Sequence, residues 1–392
     1  MNKQLKGYDT PSYTLTCMNI LIVSTMPSHP TDAGNRAAIM GQVELLQNLG
    51  HNVHYLFASM ELSNSIDYNA MKNYWKDKLH VFTMNKLLKA RRFFTDLWRK
   101  RVNGYYWKVD DHYPWGIASY INILNEEERF DACIIQYYRL SRLLPLISIP
   151  RKAVYTHDVF AYKDIRTGEP FYEACTAHEE AKAMQRCPNI FAIQQEEAIY
   201  YKMLSPKSNV YTVYSSFKTH NQKIQNNKVL LFLASKMSFN ANGIQWFLDN
   251  VWQSLKAKDP EIRLMIGGTV CENIKQTYKD VTLCGKVDSL DDFYALGDVV
   301  INPVYQGTGL KIKTFEALSY GKVTVVHPHS VTGVYNASAA PLIVASSSTE
   351  WVEVILKLIN NPQLIEELRQ QSVAYIEDMN DFIRMQYKNF LA

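Results

Sequence analysis

This sequence has no paired metal-binding cysteines. Its six cysteines, at 17, 133, 175, 187, 271 and 284, include no Cys-x-x-Cys spacing. That excludes zinc ribbons and fingers and offers no disulfide framework, as expected of a chain kept in a reducing cytoplasm. No apolar run approaches the ~20 residues needed to span a bilayer. The first 17 residues are polar and contain no signal-peptide apolar core. A net charge of only +4 speaks against an electrostatic nucleic-acid binder. The first strand candidate, "MNILIVS" (18–24), is not followed by G-x-G-x-x-G, which argues against an NAD-dependent Rossmann enzyme. Internal repeats and low-complexity tracts are absent too.

What is present is a twofold alternation of apolar runs and helical periods. After "MNILIVS" come a loop containing Pro27, Pro30 and Gly34, the helix-like "RAAIMGQVELLQNLG" and the strand-like "NVHYLFA". Parallel strands need such crossover helices. Strands are also expected at 131–136, 152–156, 189–193 and 209–214, with a helix at 194–204. Residues 215–228, "SSFKTHNQKIQNNK", are polar and aperiodic and read as a linker. A second alternation begins with "VLLFLAS" and runs through a helix near 242–257 to the strand "KVTVVHP" (322–328). The expected fold class is α/β, with two doubly wound domains at 18–214 and 229–375 and a closing helix over 376–392 that braces them.

The densest chemistry lies in "NPVYQGTGLKIKTFEALSYGK" (302–322), the end of a strand, a turn and a helix start. Unpartnered N–H groups and the macrodipole favour an anion at a helix N-terminus. Gly307 and Gly309 let backbone approach a ligand closely. Lys311 and Lys313 add positive charge, and Glu316 shares a helix face with Lys313.

The stretch "GTGLKIKTFEALSYGKVTVV" resembles the donor-site signature of retaining glycosyltransferases of family four. "LASKMSFNANGIQWFLDNVWQSL" and "MIGG…VTLCGKVDSLDDFYALGDVVINPV" are similar to that family's preceding strands and helices. "YTHDVFAYKDIR", "AIQQEEAIYYKML" and the Gly34 loop are similar to one of its branches. The resemblance implies a GT-B fold, two Rossmann-like domains facing across a cleft, and a nucleotide-sugar donor bound by the C-terminal one. It gives Lys313 a phosphate contact and Glu316 the ribose hydroxyls. The backbone around Thr308, Gly309 and Leu310 would serve the phosphates or sugar, and Lys236 would be a second basic phosphate ligand. His157 and Asp158 would stand at the interdomain cleft, with Gly34 bringing backbone to the donor phosphate or acceptor. Two positions depart from the family pattern: Thr308 replaces the first glutamate of an E-x7-E pair, and Val323 a proline. The sequence contains no Asp-x-Asp motif, so lysines and helix dipole, not a metal, are expected to neutralise the diphosphate, and no cofactor is expected.

Residues 85–108 carry eight Lys/Arg against one acid, Asp96, with Phe94, Trp98 and Val102 at i, i+4, i+8 spacing. Two readings stand open. The stretch meets an anionic membrane surface, or its apolar stripe packs on the N-terminal domain while the cations are solvated. His327 and His329 read as incidental loop residues, and Glu179 and Glu180 as solvent-facing.

The expected activity is transfer of a hexose-type sugar to a hydroxyl of a glycan or lipid-linked glycan, with retention. The setting would be bacterial surface-polysaccharide synthesis in the cytoplasm, possible at the inner face of the membrane. Two alternatives are a nucleotide-sugar epimerase of the same fold and a catalytically silent partner subunit.

Overall fold

The computed structural model describes residues 16–31, 34–59, 67–101, 107–111, 113–168, 170–171 and 173–392. The first sheet is built from β1 (Asn19–Ser24), β2 (Asn52–Ser59), β3 (Leu79–Thr83), β4 (Ala132–Gln136), β5 (Arg151–Tyr155), β6 (Asn189–Ala192) and β7 (Asn209–Thr212). Its order is β3-β2-β1-β4-β5-β6-β7, and every pairing is parallel. The connecting helices are α1 (Gly34–Asn48), α2 (Tyr68–Trp75), α3 (Lys86–Arg101), α4 (Ile117–Glu128), α5 (Lys163–Thr167), α6 (Ala177–Met184) and α7 (Gln195–Leu204). Helices cover a parallel sheet on both faces, so its central strands are apolar on both faces. Hence "ILIV" in β1 and "ACII" in β4 are buried without alternation.

The second sheet contains β8 (Val229–Leu233), β9 (Arg263–Gly267), β10 (Val281–Gly285), β11 (Val299–Asn302), β12 (Val323–Val326) and β13 (Leu342–Val344), in the order β10-β9-β8-β11-β12-β13, again parallel. Its helices are α8 (Ser238–Phe247), α9 (Gln253–Lys258), α10 (Leu290–Tyr294), α11 (Ile312–Ser319), α12 (Ser348–Ile359) and α13 (Pro362–Leu391). The helix expected near 242–257 begins earlier, at Ser238, and passes through a wide turn at Leu248–Trp252. Strand order reverses between β1 and β4 and between β8 and β11. Ligands of doubly wound sheets sit outside the strand carboxyl ends at such reversals.

Residues 215–228 form no regular element but are tied down. Phe217 exchanges hydrogen bonds with Asn380 (3.2 and 2.7 Å), His220 N–H donates to the Ser319 carbonyl (2.8 Å), and the N–H groups of Gln225 and Asn226 donate to Asp298. The last helix does not begin at 376. It runs unbroken from Pro362, with Asn361 accepting from Leu364 N–H as its cap. Ile365 packs in the core of the second sheet, whereas Ile376, Met379, Ile383, Tyr387 and Phe390 pack with Ile20, Ile134 and Phe191 of the first.

Helix α3 does not bury its apolar stripe. Phe93, Phe94, Leu97 and Trp98 are 64%, 66%, 38% and 52% exposed, while Leu88 and Arg92 turn inward. Thus the expectation that Phe94 and Trp98 pack on the N-terminal domain is not met; Val102 lies outside the described residues. Among the described residues no helix is long and apolar enough to cross a membrane.

Candidate active site

The loop after β11 enters α11 through two residues with positive φ, Gly307 (+107°) and Gly309 (+77°). A side chain at either would be strained in that left-handed region. The loop is also pressed from both sides. A Cβ on Gly309 would stand 3.6 Å from Asp158 Oδ2, and Gly243 of α8 lies directly against Pro303 and Val304. Glycine at 243 therefore lets α8 settle on the strand end that carries the loop.

Lys311 immediately precedes α11 and Lys313 is in its first turn. The Lys313 ammonium donates to Asn240 Oδ1 and sits 5.8 Å from the Phe239 ring. Burial, reinforced by the Lys311 charge, lowers its pKa to about 8, against the pull of Glu316. Burial lowers Lys311 too, opposed by Asp158. One turn on, Glu316 Oε1 accepts from the Tyr294 hydroxyl at 2.8 Å. Burial raises the carboxyl pKa, with Tyr294 and Lys313 opposing. Two cations and one carboxylate therefore share one helix end, poorly solvated and short of counter-charge.

Across the cleft, His157 follows β5 with φ +65°. Its ring stacks on Tyr137 (centroids 4.2 Å apart) and its Nε2 lies 2.7 Å from Gln136 Oε1. Gln136 Nε2 donates to Gln42 Oε1 (2.8 Å), and Gln42 Nε2 donates to the Tyr387 hydroxyl (2.7 Å). Gln136 Oε1 can only accept, so His157 Nε2 carries the proton and Nδ1 keeps its lone pair. Burial, with Arg139 adding to it, lowers the pKa to about 3, and the ring is neutral at pH 7. A neutral imidazole fixed in one tautomer orients a hydroxyl well but is a weak base. Asp158 accepts from Val159 N–H (2.8 Å), pairs with Lys163 (2.7 Å) and meets the Thr308 hydroxyl at 3.4 Å, a contact between the two domains.

Three neighbouring cavities occupy the cleft. One of about 470 Å³ is lined by Gly34, Tyr137, His157, Asp158, Leu310 and Ile312. A second, about 490 Å³, is lined by Asp158, Glu197, Gly307–Gly309, Lys311 and His329. The third, about 700 Å³, reaches from Gly34 to Val287, Asp288 and Glu316. A Cβ on Gly34 would meet nothing within 4 Å, so that backbone faces open space. Of the residues expected at the site, Gly34, His157, Asp158, Gly307, Thr308, Gly309, Leu310, Lys311 and Glu316 line this space. Lys313 is drawn back against Asn240. Lys236 lines none of the three cavities; its exposed ammonium is 3.5 Å from Glu272.

Several participants were not anticipated. His329 Nε2 lies 3.0 Å from the Gly307 carbonyl and 3.4 Å from Lys311 Nζ, so this histidine props the glycine loop. Glu180 is fully buried and accepts from Phe160 N–H (2.9 Å), Ala161 N–H (3.1 Å) and the Tyr200 hydroxyl (2.9 Å), which fixes the loop after Asp158. Asn240, Tyr294 and Gln136 complete the inner layer. None has a sequence signal beyond its position near a strand end or a helix start.

Residues 227–361 match the family model of glycosyl transferases group 1. An uncharacterized 44.6 kDa protein in the cps region of Klebsiella pneumoniae is 20% identical over 92% of this chain and 96% of its own length. Among solved structures, TarM superposes with a TM-score of 0.69 at 10% identity, over 96% of this chain and 99% of its own. HepE of Anabaena, crystallised with UDP and glucose, gives 0.62 at 11% identity, over 95% and 98%. A TarM structure from S. aureus also contains UDP. The chain therefore has the GT-B fold of glycosyltransferases, and its second domain carries the match to glycosyl transferases group 1.

Proposed function

We propose that the protein is a retaining glycosyltransferase that moves a hexose-type sugar from a nucleoside diphosphate sugar to a hydroxyl of a glycan or lipid-linked glycan. The observation that carries this reading is the grouping of Lys311, Lys313 and Glu316 at the start of α11, behind the Gly307–Gly309 loop, on the wall of a cleft whose far side holds His157. In it the diphosphate lies at the α11 N-terminus. Lys311 sits beside it, and Lys313 swings from Asn240 to meet it. Glu316 takes the ribose hydroxyls, while Leu310 and Gly34 lend backbone. Lys236 is a peripheral phosphate contact, reached once its side chain leaves Glu272.

In the reaction the bond from the sugar C1 to the β-phosphate oxygen breaks, and a bond from C1 to the acceptor oxygen forms on the same face. The acceptor proton passes to the departing phosphate. Lys313 stabilises the charge developing on that phosphate, and His157, with Asp158 behind it, orients the acceptor hydroxyl or a donor-sugar hydroxyl. Two lysines and a helix dipole supply the positive charge that a divalent cation supplies elsewhere, so the reaction is expected to run without metal. UDP is the first donor base to try, since HepE and TarM were crystallised with it. The cps-region relative supports a role in polysaccharide synthesis; we place that work in the cytoplasm, at the inner face of the membrane. The exposed aromatic and cationic face of α3 supports contact with anionic lipid there.

Thermal unfolding with a panel of nucleoside diphosphates tests the reading. A ligand at ~100 times its Kd contributes about 2.7 kcal/mol, a rise of a few degrees in a chain of this size. One nucleotide should shift the wild type clearly more than Glu316→Ala at the same concentration. If none shifts the wild type, the donor site is wrong. If one does but no acceptor is glycosylated, the epimerase or silent-subunit alternative takes over.

A further inference from the structure

At the opposite end of the first sheet, away from the cleft, two imidazoles and a carboxylate converge. His54 is the third residue of β2 and His80 the second of β3, so both lie toward the amino ends of strands whose carboxyl ends face the cleft. His80 stands opposite Leu56 in the register, which puts His54 and His80 on one face of the sheet, diagonally adjacent. Glu128 closes helix α4 over that face. His54 Nδ1 and His80 Nε2 are 3.1 Å apart, with the rings within 4° of parallel. Glu128 Oε2 is 3.9 Å from His54 Nε2, and one ligand atom from each of the three residues lies within 4.8 Å of the others.

We infer that these three residues form a binding site for a zinc-like divalent cation, separate from the transfer site. Two nitrogens bound at 2.0–2.1 Å to a tetrahedral ion are about 3.3 Å apart, close to the spacing already present. His54 is buried, His80 half-buried, and the Glu128 side chain is 34% exposed. That openness lets the carboxylate close the remaining distance and leaves a fourth position for water. Asn52 Nδ2 approaches His54 Nε2 at 3.1 Å, so the proton shared by the two rings is on His54 Nδ1. The ion takes that proton's place between the rings. The imidazole proton then sits on Nε2, where a turn of the Asn52 carboxamide, at the cost of its 2.9 Å bond to Asn19 Oδ1, presents Oδ1 as its acceptor. Asp77 and Lys78 act on His54 with opposite signs, which leaves the surroundings near neutral. Two imidazoles and one carboxylate suit zinc over magnesium, which seeks oxygen ligands. Bound there, the ion ties β2, β3 and α4 together at the sheet edge.

The test uses tag-free full-length protein, stripped with chelator and titrated with Zn²⁺, with Mg²⁺ as control. One zinc per chain should bind by calorimetry and elemental analysis, raising Tm by a few degrees, while Mg²⁺ has no such effect. Co²⁺ in the same protein should show the d–d absorption of a tetrahedral site. His80→Asn and Glu128→Gln should each weaken zinc binding at least tenfold. Circular dichroism serves to confirm that both variants fold, and the Asn and Gln side chains keep the local volume. Substoichiometric zinc overturns the inference, and so does unchanged affinity in either folded variant. Neither result depends on nucleotide binding, so the outcome stands apart from that of the transferase reading.

Discussion

The ammonium of Lys313 donates to Asn240 Oδ1, and Asn240 Nδ2 donates onward to the Ser235 carbonyl (2.9 Å) and hydroxyl (3.2 Å). The lysine is thereby parked beside the start of α8, with its pKa lowered to about 8. An anion at α11 favours the charged form and raises that value. Nucleotide binding therefore takes up protons at pH values above about 8, and affinity falls as pH rises through that point. Calorimetry of UDP binding from pH 7 to 9.5 in buffers of different ionisation enthalpy should show both effects, and Lys313→Met should remove them.

Tyr294 holds Glu316 in place through a 2.8 Å hydrogen bond, and in the proposed site that carboxylate meets the ribose hydroxyls. Hydrogen bonds to a charged group contribute about 1.5–3 kcal/mol. Glu316→Ala should then weaken UDP binding by roughly ten- to a hundredfold. Tyr294→Phe should cost less, since it frees the carboxylate without removing it. Titration of both variants with UDP decides this. Equal affinities in Glu316→Ala and wild type would remove the ribose assignment.

His157 is neutral in the fold, with a pKa near 3 against an ordinary value of 6.5. The unfolded chain binds the extra proton first. Its contribution to stability is therefore complete above pH 6.5 and is lost as pH falls toward 3. His157→Asn tolerates the positive φ and should flatten the loss of urea resistance across that window. The same variant should lower kcat for transfer while leaving UDP affinity nearly unchanged, as expected of a group that orients a hydroxyl.

The exposed face of α3 combines Phe93, Phe94, Leu97 and Trp98 with Lys86, Arg91 and Arg101. The double variant Phe94→Ser/Trp98→Ser should lose co-sedimentation with vesicles containing anionic lipid and keep UDP binding. Binding by the wild type should weaken as salt is raised, because each surface cation contributes about 1 kcal/mol of screenable attraction. Wild-type protein that ignores such vesicles would assign this face to another partner.

Much of the scaffold could be read directly, for a physical reason. Strands buried on both faces, such as β1, β4 and β8, are unbroken apolar runs, and glycines with positive φ mark the α11 loop. Strand β3 was missed because, as an edge strand, it buries little beyond Phe82. Glu180 was placed in solvent beside Glu179, yet a one-residue step around a helix turns it inward to the Asp158 loop. His329 looked incidental because its partner, the Gly307 carbonyl, is 22 residues away and carries no side-chain signal. The boundary expected at 376 falls inside α13 because one helix serves both domains: Ile365 packs under the second sheet and Ile376 under the first, with no break in the chain between them.

That long helix has a consequence for how the chain is made. The first sheet is synthesised first, yet part of one side of its core is filled by Ile376, Met379, Ile383, Tyr387 and Phe390, which are translated only after the whole of the second sheet. Until they arrive, the part of that face not covered by α1 lies open. The first domain therefore cannot complete its core before the second has been translated. Until then the nascent first domain carries exposed apolar surface, the condition in which partly folded chains are prone to aggregate.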